Sequence, residues 1–496
     1  MLSPQLVIDL AHELVVDLFA GGGGASTGME LAIGRHVDIA VNHDREAVAL
    51  HQRNHPQTRH YVEDVFDLDP REVTEGRPVG LLWASPDCTF HSKARGGKPH
   101  RDRNRARRRR ALAWVVVKWA RMVRPRVIQL ENVEEFQHWG PLLDDGQPCP
   151  NRRGESFTRW VAALRNLGYR VEWRELRACD FGAPTIRKRL FLVARCDGEP
   201  ITWPAPTHSD PKHAKARGLK LWRTAAECID WSIPCPSIFE RARPLADATL
   251  RRIAHGVMRY VVDAGEPFVV RIGHTGHGDA GKVRGIGDPV STVTSKAEHL
   301  LVSAFLAKHY TGVVGSDMAA PIGTVTTADH HSLVSALLID SAHGDTSPSG
   351  AKRWSHGNRQ ITMPAQTVLA SGGNAALVCA FLTAYYGSDQ DTPLTDPLHT
   401  VTTKERFALV TVRGEAYVIA DIGMRMLTPR ELYRAQGFGD DYVIHEGTDP
   451  FTGQAIPLTK TAQIRMCGNS VCPPLAEALV RANYTEATQR AMEEAA

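Results

Sequence analysis

Short apolar runs alternate with helix-period patterns over the first 200 residues. Leu14–Ala20, Val37–Asn42, His60–Val65, Val79–Ser85 and Val127–Val133 each read as a buried strand. Between the last two, Leu112, Val115, Val116, Trp119 and Val123 fall on one face of a helix. Phe157, Trp160, Val161, Leu164 and Leu167 form a second such face, and Gly168 is suited to close that helix. Tyr169–Ala178 and Arg189–Ala194 read as two closing strands. Alternating strands and helices predict an α/β fold, a doubly wound and mainly parallel sheet. In such sheets ligands bind beyond the carboxyl ends of the strands.

The pattern changes at the Pro-rich stretch 201–211. A repeat follows, with DPVSTVTSKAEHLLV from Asp288, APIGTVTTADHHSLV from Ala320, MPAQTVLASGGNAALV from Met363 and DPLHTVTTKERFALV from Asp396. Its prolines, Pro289, Pro321, Pro364 and Pro397, are 32, 43 and 33 residues apart. Each unit is expected to pair a Thr-Val strand with a Leu-Val strand as a hairpin, and one hairpin cannot bury its apolar face alone. Three units are followed by Gly beside His or Tyr, at Gly312, His343-Gly344 and Tyr386-Gly387. Helical patterning returns with Thr428–Gly437 and a last helix opening at Pro473-Pro474, where a missing N–H costs nothing. The expected organisation is a first catalytic segment, 1–200, an inserted β-rich repeat domain, 201–420, and a return to the first domain, 421–496.

Charge sharpens this picture. Lys+Arg number 59 and Asp+Glu 55, a net of +4. Lys93–Arg110 alone holds ten Lys/Arg against Asp102, a net of +9, which leaves −5 on the rest of the chain. A basic block on a mildly acidic body points to a local polyanion contact; a solvated loop is the plainer alternative. No run of about 18 apolar residues occurs, and the amino terminus lacks a basic region followed by an apolar core. Neither a membrane span nor a secretory signal is therefore expected. The nine cysteines include no CxxC pair, so a reducing, cytoplasmic setting without structural metal is expected.

Four segments carry chemistry. Asp17–Glu30, DLFAGGGGASTGME, sets a glycine-rich turn between a strand and a helix, where the backbone can approach a ligand and the helix N-terminus favours negative charge. The next strand ends Asn42-His43-Asp44, and Asp44 either reaches a ribose or caps the helix from Arg45. The fourth strand ends Ser85-Pro86-Asp87-Cys88-Thr89 just before the basic run, whose cations favour thiolate; the alternative is inert packing. The fifth strand ends Glu131-Asn132-Val133, so a thiol and a carboxyl group converge on one cleft and allow nucleophilic attack with general-acid help.

DLFAGGGG, SPDC, ENV, RKR, RAQGF and GNSVCPP stand in the order of the cytosine-C5 DNA methyltransferase family, which the chain resembles over Val15–Ala194 and Arg430–Leu479. The resemblance implies an S-adenosylmethionine-dependent methyltransferase sheet with an inserted target-recognition region, acting on double-stranded DNA. It implies that Cys88 attacks C6 of a flipped-out cytosine, that Glu131 serves N3, and that Arg189 holds O2 with Arg187 beside it. Phe19, Gly21, Gly23, Gly24, Asp44, Asp64, Val65, Pro86, Asn469 and Val471 match cofactor-contact positions. The basic run would then meet phosphates and the repeat domain would read sequence. A phage or bacterial modification enzyme, acting as a monomer, is expected, with a cognate restriction endonuclease as candidate partner. The alternatives are a tRNA cytosine-C5 methyltransferase and a catalytically silent DNA-binding regulator of the same fold. Three departures stand out. Asp87 occupies the family's usual proline, Asn42 its ribose-binding acid, and Thr185 the Gln before the arginine pair. A carboxylate at Asp87 opposes thiolate formation next door unless arginines offset it.

Overall fold

The computed structural model describes residues 12–87, 108–143, 147–230 and 425–485, together with 232–233, 242–243 and short strands within 268–418. The chain forms two compact units. One comprises residues 1–181, 188–207 and 437–496, the other 182–187 and 208–436. The boundaries thus fall at 207/208 and 436/437, later than the 200 and 420 read from the sequence. Residues 182–187 group with the second unit.

The first unit holds a seven-stranded sheet: β1 (Leu14–Leu18), β2 (Ile39–Asn42), β3 (Arg59–Val62), β4 (Val79–Ala84), β5 (Val127–Asn132), β6 (Arg170–Arg177) and β7 (Lys188–Arg195). Their order is β3-β2-β1-β4-β5-β7-β6. All pairings from β3 to β5 are parallel, and β7 runs antiparallel to both its neighbours. β1, β4 and β5 are buried at every position. That burial is why they read as mainly apolar runs and not as alternating patterns, interrupted only by Asp17 in β1 and by Gln129, Glu131 and Asn132 in β5.

Helices α1 (Gly24–Ile33), α2 (Arg45–Asn54), α3 (Pro70–Thr74), α4 (Ala113–Met122) and α5 (Glu155–Asn166) link these strands. Asp44 caps α2, accepting from the amides of Glu46 and Ala47, and Gly168 lies in the left-handed region just after α5. The second unit contains α6 (Ala214–Arg217) and α7 (Pro429–Gln436). The first resumes with α8 (Lys460–Asn469) and α9 (Pro473–Asn483), whose Pro473-Pro474 pair fills its first turn. Thr459 caps α8 through a 3.1 Å bond from the Ala462 amide, a helix that hydrophobic periodicity does not predict. The strand order turns between β1 and β4, one chain path going each way, and this is the topological switch point at which α/β sheets bind ligands.

In the second unit the Thr-Val segments of the repeat lie outside the described residues. The Leu-Val strands pair with other segments: Ala297–Val302 with Phe305–Lys308, and Leu409–Val412 with Glu415–Val418. Ala297–Val302 also runs parallel to His330–Val334, with His299 opposite His331 and Leu300 opposite Ser332. That offset equals the 32-residue repeat, so corresponding positions of two units lie side by side.

Candidate active site

β1 delivers the chain into the glycine-rich turn at the switch point. Phe19 adopts φ 63, unusual for a side-chain-bearing residue, and Gly23, the N-cap of α1, adopts φ 81. The close packing behind the turn explains the glycines. A Cβ on Gly23 would lie 2.1 Å from Tyr442 Oη, and one on Gly24 2.1 Å from the Val471 carbonyl oxygen. Gly21 has open space on its free side, with no atom closer than 4.0 Å. Asp17, Phe19, Gly21 to Gly24, Ser85, Asn469 and Val471 line one pocket. Gly24→Ala is therefore expected to destabilise the fold by about 1–3 kcal/mol, because the obstructing atom is backbone and cannot step aside. Thermal unfolding of the variant checks this, and an unchanged midpoint would contradict the close packing.

Beside β1, β4 ends at Ala84 and the chain continues through Ser85, Pro86 and Asp87. Ser85 is held by its amide to the Leu18 carbonyl (3.2 Å) and by Trp83 Nε1 donating to its Oγ (3.0 Å). The buried Asn132, last residue of β5, donates from Nδ2 to the Pro86 carbonyl at 3.1 Å. The Asn of the ENV motif thus fixes the exit of β4, and Cys88 follows two residues on, outside the described residues. Glu131, one position before Asn132, is buried, and its Oε1 lies 3.3 Å from Nε of Arg189 on β7. The antiparallel pairing of β5 with β7 produces this approach, placing Glu131 opposite Phe191 and Asn132 opposite Leu190. A carboxyl group held by a guanidinium at the end of the sheet, next to the strand leading to a cysteine, is equipped for proton transfer to a planar polar ring.

The basic run behaves differently from its charge count at its described end. Arg108 donates to Asp64 Oδ2 (2.8 Å), Arg109 pairs with Asp87 (3.0 Å), and the buried Arg110 bonds the Gly140 carbonyl. These three cations fasten the described end of the segment to the first unit; residues 93–107, the rest of the run expected to meet phosphates, lie outside the described residues. The Arg109–Asp87 pair sets a guanidinium against the acid that precedes Cys88 in the sequence, an arrangement in which that acid opposes thiolate formation less. Arg109→Ala is accordingly expected to slow alkylation of Cys88 by iodoacetamide several-fold at pH 7, with the rate recovering at higher pH. Equal rates at pH 7, followed at Cys88 by peptide mass analysis, would show that the pair has no such effect.

Other sequence-predicted residues fall as follows. Of the two roles open to Asp44, the structure shows the cap, with Arg465 bonded to its second oxygen. Burial pushes its carboxyl up, but Arg465 and the amides of Ala47 and Glu46 outweigh this and hold it below the usual range. Asn42 Oδ1 accepts from the Asp44 amide at 2.9 Å. Asp64 accepts from the Phe66 amide at 3.1 Å, and Val65 is buried. Arg187 is buried in the second unit, its amide donating to Thr185 Oγ1 at 3.3 Å. Among the described residues no group of His, Cys, Asp and Glu is arranged to hold a metal ion, and no helix is long and apolar enough to cross a membrane.

Sequence reasoning missed Asp17, Ser26, His51, His60 and Tyr442. Tyr442 Oη donates to the Gly22 carbonyl at 2.8 Å. Asp17 is buried, and burial raises its carboxyl to about 7, partly offset by its bonds from Ser26.

A family model described as C-5 cytosine-specific DNA methylase matches residues 14–228 and 348–484. Type II methyltransferase M.SacI of Streptomyces achromogenes is 30% identical over 216 residues, covering 40% of this chain and 52% of that protein. Type II methyltransferase M.NaeI of Lentzea aerocolonigenes is 32% identical over 203 residues, covering 40% and 44% respectively. The chain thus spans about half the length of the curated relatives it matches. The solved S. pombe Dnmt2 methyltransferase aligns with 95% of this chain and 97% of its own, at 13% identity and a TM-score of 0.46.

Proposed function

Because the chain belongs to the family of C-5 cytosine-specific DNA methylases, we propose that it transfers a methyl group from S-adenosylmethionine to C5 of cytosine in duplex DNA. The observation that carries this reading is the meeting of Glu131, Arg189 and the Asn132-braced exit of β4 toward Cys88. The switch-point pocket fits the cofactor, for Gly21 leaves its wall open and Asp17 Oδ1 is buried there without a hydrogen-bond partner among the described residues. Phe19, Gly21, Gly23, Gly24, Asn469 and Val471 line that pocket and would hold the cofactor, and Pro86 directly follows the lining Ser85; Asp44, Asp64 and Val65 are outside the lining and are proposed as contacts on the family likeness alone. When bound, S-adenosylmethionine supplies an electrophilic methyl group.

The chain's own residues prepare the acceptor. Cys88 thiolate adds to C6 of an extruded cytosine, converting C5 into a nucleophile. Glu131 delivers a proton or hydrogen bond to N3 as electron density reaches the ring, and Arg189 orients Glu131 while meeting the base at O2. Arg187 is proposed to serve the base on the family likeness alone. Loss of the C5 proton then expels Cys88. The relatives named above are type II methyltransferases, and a modification role is proposed here on that likeness.

A trapping experiment tests the chemistry. Duplex DNA carrying 5-fluorocytosine has no C5 proton to lose, so with S-adenosylmethionine it is expected to leave a protein–DNA adduct that survives denaturation and maps to Cys88. Adducts on tRNA but not on duplex would redirect the substrate assignment, and no adduct from folded protein across diverse duplexes would overturn the mechanism.

A further inference from the structure

A second pocket lies on the first unit and shares no lining residue with the one at the glycine-rich turn. Its cavity holds about 220 Å³, and Arg110, Trp114, Trp139, Gly140, Leu142 and Ser156 are among the residues that line it. The aromatic walls are rigid. Trp139 follows the single turn Glu134–His138 and stacks on the buried Phe136, with ring centroids 5.6 Å apart and an interplanar angle of 20°. Trp114, in the first turn of α4, meets Trp139 edge-on at 6.3 Å and 65°. Behind them Phe157 and Trp160 pack on Phe136, and Trp160 Nε1 donates to the Ala113 carbonyl at 2.8 Å. Two indoles at this angle form a corner that accepts a flat ring, stacked on one wall and edge-on to the other. Trp114 is 38% exposed, so one wall is bare.

Arg110 supplies the charge. It is 7% exposed, and burial alone pushes its guanidinium down to about 10. Its Nη2 donates to the Gly140 carbonyl. That carbonyl is fixed in place, because Gly140 packs so closely on Arg152 that a Cβ would lie 2.3 Å from the Arg152 carbonyl oxygen. No carboxylate among the described residues pairs with Arg110. A guanidinium carries five N–H donors in a planar fork, and one neutral acceptor uses only part of it. A buried cation so placed is costly unless an anion in the cavity meets it. The nearest acid in sequence to the lining Ser156 is Glu155, already engaged by Arg152 and Arg159 at 2.6 Å each. Ser156 itself brings a hydroxyl from the first turn of α5, the positive end of that helix. The cavity is smaller than the roughly 300–1,000 Å³ of sites for drug-sized ligands, and suits one ring with its anionic group better than a peptide segment. Its place points to nucleic acid chemistry. Arg110 closes the basic run, and Arg109 beside it pairs with Asp87 at the exit of β4.

We propose that this pocket binds a nucleotide unit, with the phosphate at Arg110 and the base in the corner of Trp114 and Trp139. A guanidinium fork meets two phosphate oxygens at once, which a neutral donor cannot match. Every base presents a π-face to an indole, so the pocket selects a phosphate joined to a ring and not a sequence. A free mononucleotide and an unstacked nucleotide of a DNA strand share this chemistry. The site is separate from the glycine-turn pocket and does not depend on the methyl-transfer reading.

Calorimetric titration of the full chain with 2′-deoxyguanosine 5′-monophosphate tests this, with S-adenosylhomocysteine added to occupy the glycine-turn pocket. Trp114→Ala is expected to weaken nucleotide binding by about fivefold or more, and Trp114→Phe, which keeps a ring, by about twofold or less. Arg110→Gln is expected to weaken it by about tenfold or more while leaving the affinity for deoxyguanosine, which has no phosphate, unchanged. Trp114 is partly exposed, so its two variants decide the matter if Arg110→Gln does not fold. A single-stranded oligothymidylate that displaces the nucleotide identifies a DNA strand as the source, and one that leaves it bound identifies the free nucleotide. Affinities equal to native in both Trp114→Ala and Arg110→Gln overturn the inference, as does the absence of binding to folded chain at millimolar nucleotide. A dimer, seen by light scattering, that Trp114→Ala dissociates while the native chain binds no nucleotide also overturns it, and makes the corner a contact between copies. These outcomes leave the methyl-transfer reading standing, since that is decided by the product nucleoside.

Discussion

Replacing Cys88 by serine is expected to lower methyl transfer to cytosine by at least about a thousandfold, without moving the thermal midpoint. A serine hydroxyl is essentially un-ionised at neutral pH, whereas a thiol flanked by Lys93, Arg95 and an acid already paired with Arg109 retains access to its anion. The substitution exchanges one sulfur for an oxygen two residues past Pro86, in the stretch whose described part is braced by Trp83, Ser85 and Asn132. Transfer of label from S-adenosylmethionine to duplex DNA measures the loss. Cofactor affinity measured in parallel should be unchanged, since the pocket residues are untouched.

The second large effect belongs to Glu131. Glutamine at this position keeps the volume and a hydrogen-bonding edge but cannot deliver a proton. The expected loss is about a hundredfold or more in the rate of the chemical step, with little change in DNA affinity. Its position explains why this is a test of chemistry. The side chain is buried at the end of β5 and held 3.3 Å from Arg189, so the substitution alters charge in a fixed place. Single-turnover rates separate this effect from binding, and a rate within a few-fold of native would remove Glu131 from the proton-transfer role.

Much of this was legible in the sequence because the central strands are buried on both faces. Apolar runs extend past the strands mainly where the chain leaves the sheet to build the site: Ala20 and Val133 are buried and apolar yet lie beyond β1 and β5. Apolar character reports burial there, not strand geometry. Helix α8 was invisible for the opposite reason, since its residues are largely polar and a Thr459 cap defines its start. The glycine turn was legible as a ligand loop, but the need for Gly24 comes from the Val471 carbonyl, more than 440 residues away in the chain. The basic run shows the limit of counting. Its net charge was plain, yet Arg108 and Arg109 spend theirs on Asp64 and Asp87, and Arg110 turns inward to the Gly140 carbonyl. The hydrogen-bonded row Asp17–Ser26–His51–His60 could not be read at all, because its members come from β1, α1, α2 and β3 and no spacing joins them.

The central claim is the identity of the product. Incubating the protein with duplex DNA of diverse sequence and isotope-labelled S-adenosylmethionine, digesting to nucleosides and separating them by mass spectrometry tests it directly. The account predicts label in 5-methyldeoxycytidine, absent with the Cys88→Ser variant. Label on another position or another base, or none at all from folded, cofactor-binding protein, would contradict it.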